Sequence, residues 1–353
     1  MTPSRIEIIS GQQKKAPAAI LVTHGSQRLL LDAGGELEPG ALSYTLPDKL
    51  DAVLLSHDHQ DHIGALALLP DDVPVYCSEM TAHALPVGRK VHTVPLRGEF
   101  RIGPLTVTTG SAGHAWGSMW FHLAIGDGVF YSGDISLESS LFRFDPPPPA
   151  ALALIDASYG NYQQSQHTLQ QALLTALMTR PTLCPVPPSG RAIEIALLLH
   201  QQGYREMAMD DDCLAVLRAM LDSASDGGLH AGCPEHLQQL LSDLPAFSPT
   251  WPLLLAGDPD GCSGTVAALR ARDNFHHRLL FTGHLTRDAW LSWQAGEVDF
   301  SRWNVHPTRH CIQRLVEQLG CKRLVPLFSV TDYAEQWQAG MGCQVLTQSG
   351  VEI

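Results

Sequence analysis

The chain is poor in lysine. Only five of its 23 basic residues are lysines, against 36 acidic residues, and the formal net charge is −13. That balance excludes a broad, sequence-blind grip on polyanions, which needs a basic surface. It leaves room for a small basic cleft, or for metal ions that neutralise phosphate locally. The two short charge runs, "KK" at 14–15 and "DDD" at 210–212, read as solvated faces. No CxxC pair occurs among the eight irregularly spaced cysteines. A reduced, cytoplasmic chain with mostly buried thiols is therefore expected. No apolar run approaches a membrane span, and "MTPSRIEIISGQQKK" has no apolar segment of the signal-peptide kind, so no membrane association is expected. What the chain has in quantity is histidine, 17 of its 353 residues.

That length suffices for a large core or two modest domains. "AAILVTHGSQRLLLDAGG" predicts a hairpin, with apolar runs at 18–22 and 29–31 around a polar turn. "DAVLLS", "GVFYSGD", "ALALID" and "RLLFTGH" are further short apolar runs ending at or next to a polar residue: His57, Asp134, Asp156 and His284. Strands that deliver polar residues to loops at their C-terminal ends are where α/β folds place their sites. "DPPPPA" at 145–150 is stiff and extended, and longer helical patterns follow it. Leu169, Leu173, Ala176 and Leu177 form one helical stripe, and Ile312, Leu315, Val316 and Leu319 another that stops at Gly320. Residues 1–150 and 301–353 are expected to form one domain, and 151–300 an insertion.

The densest chemistry lies in "LLSHDHQDHIGAL". His57 and His59, spaced by two, can converge on one metal ion from a loop. Asp61 and His62, at the start of a following helix, can hold a second ion. Imidazole nitrogens and carboxylate oxygens suit zinc at a site left open for water. "SAGHAWGS" sets His114 among small residues that permit close backbone approach, and "YSGDIS" sets Asp134 at a strand end. With the first cluster they supply three histidines for one ion and a carboxylate able to bridge two.

Asp32, the His57–His62 cluster, His114 and Asp134, in that order, resemble the motifs of the metallo-β-lactamase superfamily. The resemblance implies an α/β fold, an αββα sandwich, with Asp32 orienting the site rather than binding metal. "PVPPSGRAIEIALLL" with Gly190 and Arg191, "LLLAGDPDGCSGTVAALRA", "LLFTGHLTRDAW", "IDASYGN" with Asp156 and "WNVHPTRHCIQRLVEQLGCKRLV" with His306 resemble segments of its β-CASP nuclease group. An inserted α/β β-CASP domain is thereby implied. The group includes RNase J, the 3′-end-cleaving subunit of the polyadenylation machinery, and DNA-crosslink-repair nucleases. The activity implied is phosphodiester hydrolysis by a metal-activated hydroxide, with Zn2+ in a two-metal site. His57, His59, Asp61, His62, His114 and Asp134 would be the ligands. Asp61 would also count among the reacting groups, and His306, oriented by Asp156, would act as general acid.

One position departs from that pattern. RNA-cleaving members carry a further histidine after the last helix and strand, completing the second metal site. Here "KRLVPLFSVTD" offers Phe328, or Ser329 with a one-residue shift. The departure pulls toward the DNA-cleaving branch, whereas the inserted segments pull toward RNA. It predicts a weak second site, or a demand for Mn2+, unless Asp332, His310 or His284 restores a ligand. The resemblance predicts a nuclease with RNA ahead of DNA. Given the acidic balance and the short chain, it also predicts a small or locally held substrate, or a protein partner that supplies the grip. A small-molecule ester, lactone, thioester or cyclic-phosphodiester hydrolase is the second class. A non-cutting subunit ranks last because the first ligand set is intact.

Overall fold

The computed structural model describes residues 4–36, 38, 40–223, 227–329 and 337–353. The chain divides into two units, one of Met1–Leu137, Phe142–Gln163 and His306–Ile353, the other of Glu138–Leu141 and Gln164–Val305.

The first unit carries two seven-stranded sheets. One comprises β1 (Ser4–Ser10), β2 (Ala19–His24), β3 (Gln27–Leu31), β4 (Ala52–Leu54), β5 (Val75–Cys77) and β6 (Val91–Thr93) in that order, with the final strand β19 (Gly350–Glu352) beside β1. The other comprises β7 (Gly98–Ile102), β8 (Leu105–Ser111), β9 (Met119–Leu123), β10 (Val129–Tyr131), β11 (Leu152–Asp156), β17 (Arg323–Leu327) and β18 (Gln344–Val345), ordered 18-17-11-10-9-8-7. The expected hairpin is the antiparallel β2–β3 pair.

Period-two alternation decides the layers. Ile20, Val22, Leu29, Leu31 and Leu54 of the first sheet share one buried cluster with Val107, Phe121, Tyr131, Leu152 and Leu154 of the second, so the two sheets face each other across it. The intervening residues turn outward. Leu30, Val53 and Val75 pack with Leu66 and Leu69, next to α1 (Gln60–Ile63) and α2 (Glu79–His83). On the far side Phe130, Ala153, Ile155 and Leu324 meet the stripe of α9 (Arg309–Leu319), where Ile312, Leu315, Val316 and Leu319 are all buried. Burial of each such side chain contributes roughly 1.5–3 kcal/mol. Gly320 ends α9 in the left-handed conformation, as its place in the sequence predicts. The result is the αββα sandwich.

The second unit holds a five-stranded parallel sheet of β12 (Thr182–Pro185), β13 (Met207–Met209), β14 (Leu253–Ala256), β15 (Arg278–Phe281) and β16 (Asp299–Phe300), ordered 13-14-12-15-16. Its helices include α3 (Gln166–Met178), α4 (Arg191–Gln201), α5 (Asp211–Asp222), α6 (Cys233–Asp243), α7 (Gly264–Arg270) and α8 (Arg287–Gln294). Two of the motifs quoted above meet here. A Cβ on Gly283 would lie 1.9 Å from Nη1 of Arg191, so the glycine of "LLFTGH" makes room for the arginine of "SGRAIEI".

The units divide at 163/164 and 305/306, not at the expected 150/151 and 300/301. β11 pairs in parallel with β10 and β17 and so lies inside the second sheet of the sandwich. The proline run before it is stiff backbone leading into that strand, and stiffness alone does not mark a boundary. The helix expected after "HDHQDH" is a single turn. "DDD" is not uniformly solvated either. Asp210 is buried, capping α5 through the Cys213 N–H at 3.0 Å and accepting from Gly257 N–H at 2.8 Å. Among the described residues no disulfide joins any of the eight cysteines, of which only Cys262 is exposed. Among the described residues no helix is long and apolar enough to cross a membrane.

Candidate metal centre

The site residues of the first unit gather where its strands end. Asp32 follows β3, His57 follows β4, His114 follows β8, Asp134 follows β10, and Asp156 closes β11. Parallel register aligns these ends. Asp32 N–H reaches Leu54 O at 2.9 Å, Ser132 N–H reaches Leu154 O at 3.0 Å, and Asp156 pairs with Leu327. His306 arrives separately, just ahead of α9.

Among the described residues three groups of donor atoms result, each with its atoms within 4.8 Å of one another. His57, His59, His114 and Asp134 make the first; Asp61, His62 and Asp134 the second; Asp134, Asp156 and His306 the third. Asp134 is common to all of them. Nε2 of His57 and Nε2 of His59 are buried with no hydrogen-bond partner. A buried ring nitrogen without a partner costs about 1–3 kcal/mol, so these atoms fit a role as ligands. Burial, followed by the neighbouring His62, His59 and His114, pushes the His57 pKa well down and keeps that ring neutral, the form that binds metal. Burial also lowers that of His59.

His62 behaves oppositely. Burial would lower its pKa, but Asp134 and Asp32 outweigh burial and raise it well above the usual histidine value. Its Nδ1 lies 2.7 Å from Asp32 Oδ2 and its Nε2 3.3 Å from Asp134 Oδ1. The Asp134 carboxyl is held well below the usual range, because His62 and His306 outweigh its burial.

A beta-lactamase superfamily domain model matches residues 27–184, which include each of these groups except His306. This stretch of the chain is similar to the beta-lactamase superfamily. Among curated relatives, the transcription termination factor FttA of Methanothermobacter thermautotrophicus is 28% identical over 296 residues, covering 68% of this chain and 45% of that protein. Ribonuclease TTHA0252 of Thermus thermophilus is 31% identical over 241 residues, covering 57% of this chain and 56% of that one. The chain thus spans about half the length of the curated relatives it matches. A crystal structure of a protein of unknown function from Enterococcus faecalis matches with a TM-score of 0.65 at 15% identity, covering 99% of both chains. These matches agree with the resemblance read from the sequence, and the donor groups fit a divalent metal ion.

Within this candidate centre, Asp32 stands behind the donor atoms. It is fully buried, with a positive φ of 57°, and accepts from Ser56 N–H at 2.7 Å, Ser56 Oγ at 2.7 Å and Tyr131 Oη at 2.5 Å, besides His62. A carboxylate only accepts, so His62 carries a proton on Nδ1 and turns Nε2 toward Asp134. Asp156 does the same for His306, whose Nδ1 lies 2.8 Å from Asp156 Oδ2 and 3.6 Å from Asp134 Oδ2. Asp156 is itself fixed by N–H groups of Ser158 at 2.9 Å and Ile135 at 3.3 Å.

Phe328 stands beside the second group, its ring centroid 5.6 Å from that of His62. His310 is exposed, neither His310 nor His284 joins any of the three groups, and Asp332 lies outside the described residues. One basic residue departs from the solvated face that its run predicts. Lys15, expected on a solvated face, places Nζ 3.5 Å from Asp61 Oδ2 and 3.4 Å from Ser158 Oγ. Burial disfavours its charge, but Asp61, Asp134 and Asp156 outweigh burial and push its pKa up. Ser56, Tyr131 and Tyr159 were also missed; the Tyr159 ring lies edge-on to His306 at 5.0 Å. The only sequence signal for Lys15 was its rarity as a lysine. Ser56, beside His57, was legible as part of the cluster.

Proposed function

We propose that the chain is a divalent-metal-dependent phosphodiester hydrolase acting on RNA, with the second unit as a β-CASP-type insertion. The observation that carries this reading is the convergence of His57, His59, His114 and Asp134, with two orphaned Nε2 atoms, beside the His306–Asp156 pair. RNA is favoured over DNA because a ribonuclease is among the more similar relatives. Zn2+ suits the three-imidazole set, while the two carboxylates beside His62 in the Asp61, His62 and Asp134 set would favour Mn2+. Eight cysteines without a disulfide fit a reducing, cytoplasmic compartment. With a net charge of −13, a partner protein would supply part of the grip on the substrate.

His57, His59 and His114 would hold the ion, and Asp134 would close its coordination. Bound there, a divalent ion supplies Lewis acidity and a nucleophile at neutral pH. Asp32 and Ser56 keep the ring of His62 in one orientation, so the centre needs no rearrangement as charge develops. Asp156 holds Nδ1 of His306, which leaves Nε2 to pass a proton to the departing oxygen. Asp61 acts on the side of the centre occupied by Lys15.

The test is direct. Zn2+- or Mn2+-loaded protein is offered labelled single- and double-stranded RNA and DNA. Cleavage of RNA that disappears in His59→Ala is the expected result. Cleavage of DNA alone would reassign the substrate, and cleavage of none of them would end the nuclease reading.

A further inference from the structure

The second donor group is built differently from the first. His57 and His59 have buried Nε2 atoms without a hydrogen-bond partner, whereas the side chains of Asp61 and His62 each face an opposite charge. His62 Nε2 faces Asp134 Oδ1 at 3.3 Å, and Asp61 Oδ2 faces the Lys15 ammonium at 3.5 Å. The side from which another ligand would come is occupied by hydrocarbon, since Phe328 sets its ring 5.6 Å from His62. Phe328 is fixed in place by a matched partner. Its N–H donates to Gly11 O at 2.6 Å, and a Cβ on Gly11 would lie 2.7 Å from the Phe328 ring. Both residues have positive φ, 94° at Gly11 and 60° at Phe328. A bulky residue in that conformation is held there by its surroundings.

Gly11 also opens the segment that carries Lys15. That segment ends where Ala18 N–H donates to the backbone carbonyl of Asp61 at 2.8 Å. One loop therefore packs against Phe328, delivers Lys15 and ties down Asp61. The ammonium lies 5.7 Å from the Phe328 ring centroid, within cation–π range. It also borders a cavity of about 310 Å³ lined by Ser158, Tyr159, Asn161, Phe328 and Ser329. The cavity gives a phosphate oxygen a route to it.

We propose that the Lys15 ammonium takes the place of a second metal ion, so that the centre binds one divalent ion, at His57, His59 and His114, and Lys15 supplies the second positive charge to the substrate phosphate. A divalent ion at Asp61 would be repelled by an ammonium sharing the same carboxylate, and it would lack the ligand that Phe328 replaces. A lysine is a compact point charge suited to phosphate. The inference rests on the reading of the centre as a metal-dependent phosphodiesterase.

Metal stoichiometry separates the two. Apo protein is titrated with Zn2+, and ions per chain are counted by native mass spectrometry. Co2+ absorption reports the donor set. Wild type should take one ion. A Lys15→Met/Phe328→His double variant should keep the first ion, which serves as its folding control, and gain a second at least ~10-fold more tightly than wild type does. On an oligonucleotide substrate, Lys15→Met should keep one ion yet lose about 100-fold in kcat, with partial recovery in Lys15→Arg. Two tightly held ions in wild type, one ion in the double variant, or unchanged turnover in Lys15→Met overturns the inference and leaves the metal reading standing. No ion in wild type overturns both.

Discussion

Replacing Asp32 by asparagine tests the support beneath the centre without disturbing its shape. The two side chains are nearly isosteric, and asparagine tolerates the positive φ of 57° found there. Oδ1 accepts one hydrogen bond, from Ser56 N–H, and Oδ2 accepts three, from Ser56 Oγ, His62 Nδ1 and Tyr131 Oη. With the amide NH2 at the Oδ2 position, three donors meet a donor; with the amide flipped, Ser56 N–H does. Hydroxyls can rotate to accept, but the N–H of His62 or of Ser56 cannot. The carboxylate's charge-assisted bond to His62, about 1.5–3 kcal/mol, is lost, and a buried donor is left unpaired at about 1–3 kcal/mol. A loss of at least about 2.5 kcal/mol follows, large against a stability of roughly 5–15 kcal/mol. For a unit of this size, that minimum lowers Tm by roughly 5–10 °C. The measurement is thermal unfolding of chelated wild type and Asp32→Asn, with tryptophan substitutions assigning the transition to the first unit. A fall under about 2 °C would refute the view that this buried carboxylate organises the centre.

Three further outcomes follow from the same geometry. His306→Ala should slow turnover by about 10²–10⁴-fold while ions per chain stay unchanged, and loss of metal in that variant would remove the case for a proton-transfer role. His57→Ala and His59→Ala should each lose the first ion and all activity; elemental analysis showing retained stoichiometry would contradict the assignment of that group. In chelated protein, nitrogen-detected NMR of the histidines should find His57 neutral below pH 6.5 and His62 still protonated above it. The raised pKa of His62 gives stability that is complete below its unfolded value of 6.5 and is lost as pH rises through the folded value. The lowered pKa of His57 acts in the other sense, with stability lost as pH falls below 6.5. A His62 ring that titrates at its unfolded value would disprove the pairing with Asp32 and Asp134.

The sequence by itself determined the residues that recur at strand ends and the layers they hang from. Alternation at Leu29, Leu30 and Leu31 and at Leu152, Ala153 and Leu154 assigns side chains to opposite faces, because strand period is a local property. The same holds for the α9 stripe, for its stop at Gly320, and for the spacing of His57, His59 and His62. Partnerships across long separations were decided only by the tertiary structure. Tyr131 reaches Asp32 across 99 positions and His306 reaches Asp156 across 150, and no local pattern encodes either contact. Lys15 shows the limit most plainly. As a dipeptide, "KK" has the composition of a solvated turn. Only the folding of the Gly11 loop against Phe328 and Asp61 brings one of those ammonium groups beside a carboxylate of the centre. Charge type is written in the chain, but which opposite charge it meets depends on how distant segments pack.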